Sequence, residues 1–185
     1  MTSRQERAQL TRQELINAGL QLAEHTSLTN LSVNLIVQEA GVAKGTFFHH
    51  FGDRAGFLLA IHREFHDRLF TDITNATRTM TPGRDRLIRA AGAYLDGCLK
   101  ARGVRTLLLE ARAEPLIAQA VLDRNEQVSQ LIRPDFAAMS WAHPRQAGRL
   151  WNGLVVEAAL VERQAGRRQP QIRAALGQFL TPAAR

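Results

Sequence analysis

Ser32-Val33-Asn34-Leu35-Ile36-Val37-Gln38-Glu39-Ala40-Gly41-Val42-Ala43-Lys44-Gly45-Thr46-Phe47-Phe48-His49-His50-Phe51 reads as two short helices and the turn between them. Ser32 is a residue type that caps helix N-termini, and the apolar side of the run behind it is Val33, Ile36, Val37 and Ala40, spaced by threes and fours. Gly41 stands where a chain leaving a helix passes through positive φ, a conformation glycine adopts without a Cβ clash. Val42 then starts a second short helix that buries Phe47 and Phe51, one turn apart. Two short helices crossing at such a turn predict a helix-turn-helix. The second helix presents Lys44, Thr46, Phe48, His49 and His50 outward, a set rich in phosphate and base partners and free of acids.

The flanks agree with this reading. Residues 4–25 place Ile16, Leu20 and Ala23 on one helical face with Leu15 and Leu22 beside them, and Ser3 with Glu6 has the spacing of a capping box. Residues 53–71 repeat the pattern with Phe57, Ile61, Phe65 and Leu69. No proline precedes Pro82, whereas Pro82, Pro115, Pro134, Pro144, Pro170 and Pro182 punctuate the rest at helix-length intervals. Further helices are expected over 84–102, 105–113, 116–132, 144–166 and 170–180, with 74–83 as a linker or frayed helix end and Pro134 stopping or kinking the chain. No strand-like alternation competes. The expected fold is all-α, with about nine helices in two parts. An N-terminal three-helix helix-turn-helix module takes residues 1–71, and a helical body takes 72–185.

The run resembles the TetR family of bacterial regulators, whose signature of A-G-V-S-K-G-T-L-Y-H-H-F type matches Ala40 through Phe51 at most positions. The likeness is strong over about residues 10–70, and beyond them it rests on helix count and chain length. It implies a DNA-binding module in which Lys44 and the backbone at Gly45 approach the duplex. Ser32 and Thr46 hold phosphates, Asn34 and His49 lie near bases or backbone, and Arg54 caps the phosphate clamp. Three departures stand out. Ala43 replaces the usual Ser or Thr and removes a capping hydroxyl. Phe48 replaces the common Tyr and removes a phenol, though its ring can still pack against sugar. Val37 and Leu35 stand where Ala and a polar residue are usual, crowding the turn and offering the first helix an apolar side chain.

The resemblance also implies a ligand-binding, dimerising body and hence two partners besides a palindromic operator in double-stranded DNA: a small-molecule effector and a second copy of the chain. Leu150, Leu154, Ala158, Val161, Ile172, Leu176 and Phe179 are the expected dimer contacts, with packing inside one subunit as the alternative. Candidate pocket residues are Phe65, Tyr94, Cys98, Leu109, Phe136, Trp151 and Asn152. Their sparse polar chemistry suggests a largely apolar effector that releases a repressor from its operator. An effector-independent regulator or a helical adaptor is the competing reading.

Composition narrows the classes. Of 185 residues, 45% are hydrophobic and 22% charged, which excludes a disordered or collagen-like chain. The longest apolar runs, such as 57–61, fall short of the roughly 20 residues a spanning helix needs, and the charged N-terminus lacks an apolar export segment, so a cytoplasmic protein is expected. The net charge of +7 invites a nucleic-acid partner. Residues 1–55 nevertheless carry five bases and five acids, so charge alone does not locate the reading face. An enzyme is the weaker class. His62 and His66 share a helix face at a spacing that can chelate zinc, but no H-E-x-x-H sequence or third ligand accompanies them. Cys98, the one cysteine, falls on a predicted buried stripe, and no phosphate-binding glycine loop or nucleophile elbow occurs. No catalytic residue, metal or cofactor is therefore expected.

Overall fold

The computed structural model describes residues 3–180. Within them the chain forms ten α-helices and one short 3-10 turn. They are α1 (Arg4–Ala23), α2 (Val33–Ala40), α3 (Lys44–Phe51), α4 (Arg54–Thr77), α5 (Arg84–Lys100), α6 (Arg102–Glu110), α7 (Pro115–Leu131), α8 (Arg133–Ala138), α9 (Pro144–Ala165) and α10 (Pro170–Phe179), with the 3-10 turn at Ala111–Ala113. The all-helical architecture is the expected one, and the expected count of about nine differs by the six-residue α8. Pro134 does not merely stop a helix: α7 ends at Leu131 and Pro134 occupies the first turn of α8, where its missing N–H leaves no bond unmade. The 74–83 stretch is partly ordered, since α4 continues to Thr77 and the Thr77 hydroxyl donates to the Ile73 carbonyl. Pro182 and the ends of both expected domains lie outside the described residues.

Two compact units emerge. The first combines residues through His66 with Ala101–Ala120. Its centre is Leu15, Ile16, Ile36, Phe47, Phe57, Leu58 and Ile61, all essentially removed from solvent. Helix α1 is started by the capping box: Ser3 Oγ accepts from the Glu6 N–H while a Glu6 oxygen accepts from the Ser3 N–H. Helix α6 then returns to α1, which no local pattern announced. A Cβ on Gly103 would stand 2.3 Å from the Glu24 Cα, so only glycine admits this approach, and the Gly103 N–H donates to Glu24 Oε2 at 3.0 Å. Glu110 at the other end of α6 accepts from the Leu28 N–H at 2.8 Å. The loop after α1 is thereby held by a helix about 80 residues later in the chain.

The second unit combines Asp67–Lys100 with Val121 onward. Leu87, Ala91, Leu95 and Cys98 form the buried stripe of α5, and Trp151, Val155, Ala158, Ala159 and Glu162 that of α9. Phe136 of α8 is buried and meets the Trp141 ring edge-on at 5.2 Å. Arg173 of α10 reaches Glu162 of α9 and Asp96 of α5, each at 2.7 Å, and ties three helices together. No helix among the described residues is long and apolar enough to cross a membrane.

Candidate functional site

Ser32 starts α2 by accepting the Leu35 N–H at 3.2 Å, and Gly41 ends it in the left-handed region at φ 65°. The Val42 N–H turns back to the Val37 carbonyl, which closes the turn between the helices. Helix α3 begins at Lys44 rather than Val42. Its N-cap, Ala43, has the extended backbone of a cap but no side-chain oxygen for the free N–H groups.

Aromatic packing orients α3. Phe47 is fully buried, and its ring lies 5.0 Å from Phe57 of α4 and 5.3 Å from Phe51. Phe51, expected to be buried, is only half-buried, because its outer face is covered by the Arg12 guanidinium of α1, 5.1 Å from the ring centroid. With Phe47 and Phe51 facing inward, Lys44, Gly45, Phe48 and His49 are exposed, Thr46 and His50 are half-exposed, and Phe48 keeps 43% of its surface in solvent. Ser32 and Asn34 are exposed at the start of α2. Burial, the neighbouring His49 and Arg12 all lower the His50 pKa, so its ring is held neutral near pH 7. Helices α2 and α3 thus offer an outward row of hydroxyl, amide, ammonium and imidazole groups.

Arg54 has a different position from its neighbours. Its guanidinium turns inward and donates to the carbonyls of Leu28 at 2.5 Å and Leu31 at 3.3 Å. It fixes the backbone that carries Ser32. Asp53 Oδ1 accepts from the Gly56 N–H at 2.7 Å and caps the start of α4.

Residues 15–61, which contain this motif, match the family model described as bacterial regulatory proteins, tetR family. This segment is of the TetR type. Among its curated relatives, the TetR-type segment is 32% identical over 71 residues to the HTH-type transcriptional regulator BetI of Vibrio vulnificus, covering 38% of this chain and 36% of that protein. The chain thus spans well under half the length of that curated relative. Solved structures extend the likeness of fold. A putative TetR-family transcriptional regulator from Rhodococcus sp. superposes with TM-score 0.78 at 18% identity, over 92% of this chain and 96% of that one. A multidrug binding protein, EbrR, complexed with imidazole, gives TM-score 0.74 at 19% identity over 94% and 92%.

The second unit encloses a cavity of about 330 Å³ between α4, α5, α7, α8 and α9. Tyr94, Trp151 and Asn152 line it, and Asn152 donates to Asn125 at 2.9 Å. The other expected pocket residues are elsewhere. Cys98 and Phe136 are buried in the packing of the same unit but off the cavity wall, while Phe65 and Leu109 belong to the first unit. Arg86 and Asp135, which sequence reading missed, form an ion pair on the wall, and 49 residues separate the partners, so no local pattern carries it.

The expected dimer set also divides. Leu150 and Phe179 are 72% and 59% exposed, and Leu154, Val161 and Ile172 are half-exposed. Ala158 and Leu176 face the interior of their own unit, because the buried stripe of α9 runs through Trp151, Val155 and Ala158 rather than through Leu150 and Leu154. His62 and His66 stack at 4.2 Å between ring centroids, and His66 Nδ1 lies 2.9 Å from the His62 carbonyl oxygen. Among the described residues no group of three or more His, Cys, Asp and Glu gathers in a way that holds a metal ion.

Proposed function

We propose that the chain is a DNA-binding transcriptional regulator, a cytoplasmic homodimeric repressor released from a palindromic operator by a small, largely apolar effector. The observation that carries the reading is the acid-free outward set on α3, held in register by Phe47 and Phe51 against Phe57, with Ser32 and Asn34 exposed at the start of α2. Lys44, Thr46 and Ser32 act on phosphates, and Asn34 and His49 lie close enough to the groove for base edges. Phe48 packs against sugar, and the Gly45 backbone lies close to the strand. Arg54 acts indirectly, by fixing the loop that presents Ser32.

DNA reading is assigned to residues 1–71 and control to 72–185. Two copies pairing through the exposed side of α9 and α10 would set their reading helices about 34–36 Å apart, one turn of the duplex. Helix α4 supports coupling, because its first turns carry Arg54 and Phe57 and its last turns line the cavity. An effector that empties the operator must favour the released conformer by roughly 5.5 kcal/mol. EbrR, a multidrug binding protein of the same fold, lends support to the cavity as the effector site.

The test is a binding titration on duplexes tiled across the flanks of the coding sequence, repeated at several salt concentrations. Lys44→Ala is expected to weaken binding to all sequences and reduce the salt slope by about one, whereas Asn34→Ala or His49→Ala changes preference at one position. Equal losses on operator and random DNA for all three variants would contradict the assignment.

A further inference from the structure

The cavity wall is largely apolar, and its charged side chains gather near the loop that joins α4 to α5. There Arg78, just past α4, and Arg86, in the first turn of α5, line it together with Asp135. The Asp135 carboxylate is almost fully buried and already accepts three N–H groups: Gly83 at 2.9 Å, and Arg86 Nε and Nη2 at 2.6 Å each. Little acceptor capacity remains for a cationic ligand. Arg86 gives two of a guanidinium's five N–H donors to this pair and stays 26% exposed, so it retains donors for an acceptor arriving from the cavity. Two guanidinium groups against one carboxylate leave this end net positive.

The rest of the wall is uncharged and mostly hydrocarbon, with Thr74, Tyr94 and Asn152 as its polar side chains. From Arg78 back to Phe70 along α4, and from Arg86 to Tyr94 along α5, the helical rise is about 12 Å in each case. Phe70 and Leu131 line the cavity while remaining 43% and 53% exposed, which gives its mouth an apolar rim. At roughly 30 Å³ per heavy atom, the share of a water molecule in the liquid, the volume accommodates on the order of ten heavy atoms.

We propose that the cavity takes an amphiphilic monocarboxylate of about this size, with its carboxylate on Arg86 and its hydrocarbon running toward Phe70 and Tyr94. The inference rests on the reading of the cavity as the effector site. A carboxylate meets the free edge of a guanidinium in a paired, charge-assisted geometry that an alcohol cannot reproduce and an ammonium group opposes.

Octanoate, 1-octanol and octylammonium differ only in the head group and are titrated separately into the full chain, followed by calorimetry and by the fluorescence of Trp151 on the cavity wall. Octanoate is expected to bind at least ten-fold more tightly than 1-octanol, with octylammonium weakest. The double variant R86Q/D135N, which removes both charges but leaves the Gly83 N–H an acceptor, is expected to abolish that preference while 1-octanol binding persists. Thr74→Phe, at an exposed wall position, is expected to weaken both. Equal binding of octanoate and 1-octanol, or tightest binding of octylammonium, would overturn the anionic-head assignment, and a preference that survives in R86Q/D135N would overturn Arg86 as the seat of the carboxylate. The three-ligand comparison on the unaltered chain decides the matter if the double variant fails to fold. Absence of binding by all three overturns this inference and the effector-cavity reading together. Tight octanoate binding that leaves DNA affinity unchanged keeps the inference and overturns only the proposed release.

Discussion

Phe47 and Phe48 are neighbours of identical chemistry with opposite surroundings, one fully buried and the other 43% exposed. A helix turns about 100° per residue, so adjacent side chains cannot share a face, and docking of Phe47 on Phe57 forces Phe48 outward. The start of the same helix is less well provided for. Ser3 and Ser32 each supply an oxygen to the first turn of their helices, but Ala43 supplies none. Ala43 is exposed and already has the φ and ψ of an N-cap, so Ala43→Ser needs no backbone movement. The variant is expected to gain about 0.5–2 kcal/mol, the range typical of a capping hydroxyl. Urea unfolding checks this: the midpoint should rise with an unchanged slope, and a midpoint that stays or falls would show that α3 does not need the cap.

At the level of helices, the joint between α5, α9 and α10 depends on one buried carboxylate. Glu162 is fully buried, and burial alone pushes its pKa up. Two hydrogen bonds from Arg173 and one from the Gln169 N–H outweigh that and hold the carboxyl below its ordinary value. A carboxylate whose folded pKa is depressed contributes stability that is present above the unfolded value and is lost as pH falls through the folded value. Glu162→Gln removes the charge while Arg173 keeps Asp96, so the cost at pH 7 is expected near the lower end of the 3–5 kcal/mol typical of a broken buried pair, about 3 kcal/mol. The gap between the two proteins should shrink as pH drops below the ordinary carboxylate range. Urea midpoints at pH 7 and in that acidic range test this, and a gap independent of pH would remove the ion pair as its cause.

For the whole molecule, the exposed side of α9 and α10 governs the proposed assembly. Leu150 and Phe179 are large apolar groups more than half in solvent, and Leu154, Val161 and Ile172 are half-exposed. A stable pairing needs roughly 1,200–2,000 Å² of buried surface, so in the proposed dimer these residues would form the centre of a larger contact. Sedimentation equilibrium at micromolar concentration is expected to give twice the chain mass. Leu150→Glu combined with Phe179→Glu should give a single chain that melts normally yet binds a full operator far more weakly. A monomer that already binds the full site tightly would end the dimer model.

Much of this protein is set by local sequence. Nine of the ten helices, all but the short α8, follow from proline and glycine punctuation and from apolar residues spaced by threes and fours, and the motif follows from Ser32, Gly41 and the Phe47–Phe51 pair, because capping, positive φ and helical periodicity act over a few residues. The exposed positions of Lys44 and His49 were legible for the same reason. Periodicity does not say which neighbour covers an apolar stripe. It therefore ranked Leu150, Leu154 and Ala158 together, although α9 turns Ala158 inward with Trp151 and leaves Leu150 in solvent. The return of α6 to α1 at Gly103, the turning of Arg54 onto the Leu28 and Leu31 carbonyls, and the Arg86–Asp135 pair on the cavity wall all join residues more than 20 positions apart. Only the tertiary structure decided these contacts, since their partners are chosen by the packing of whole helices and leave no trace in the spacing of the chain.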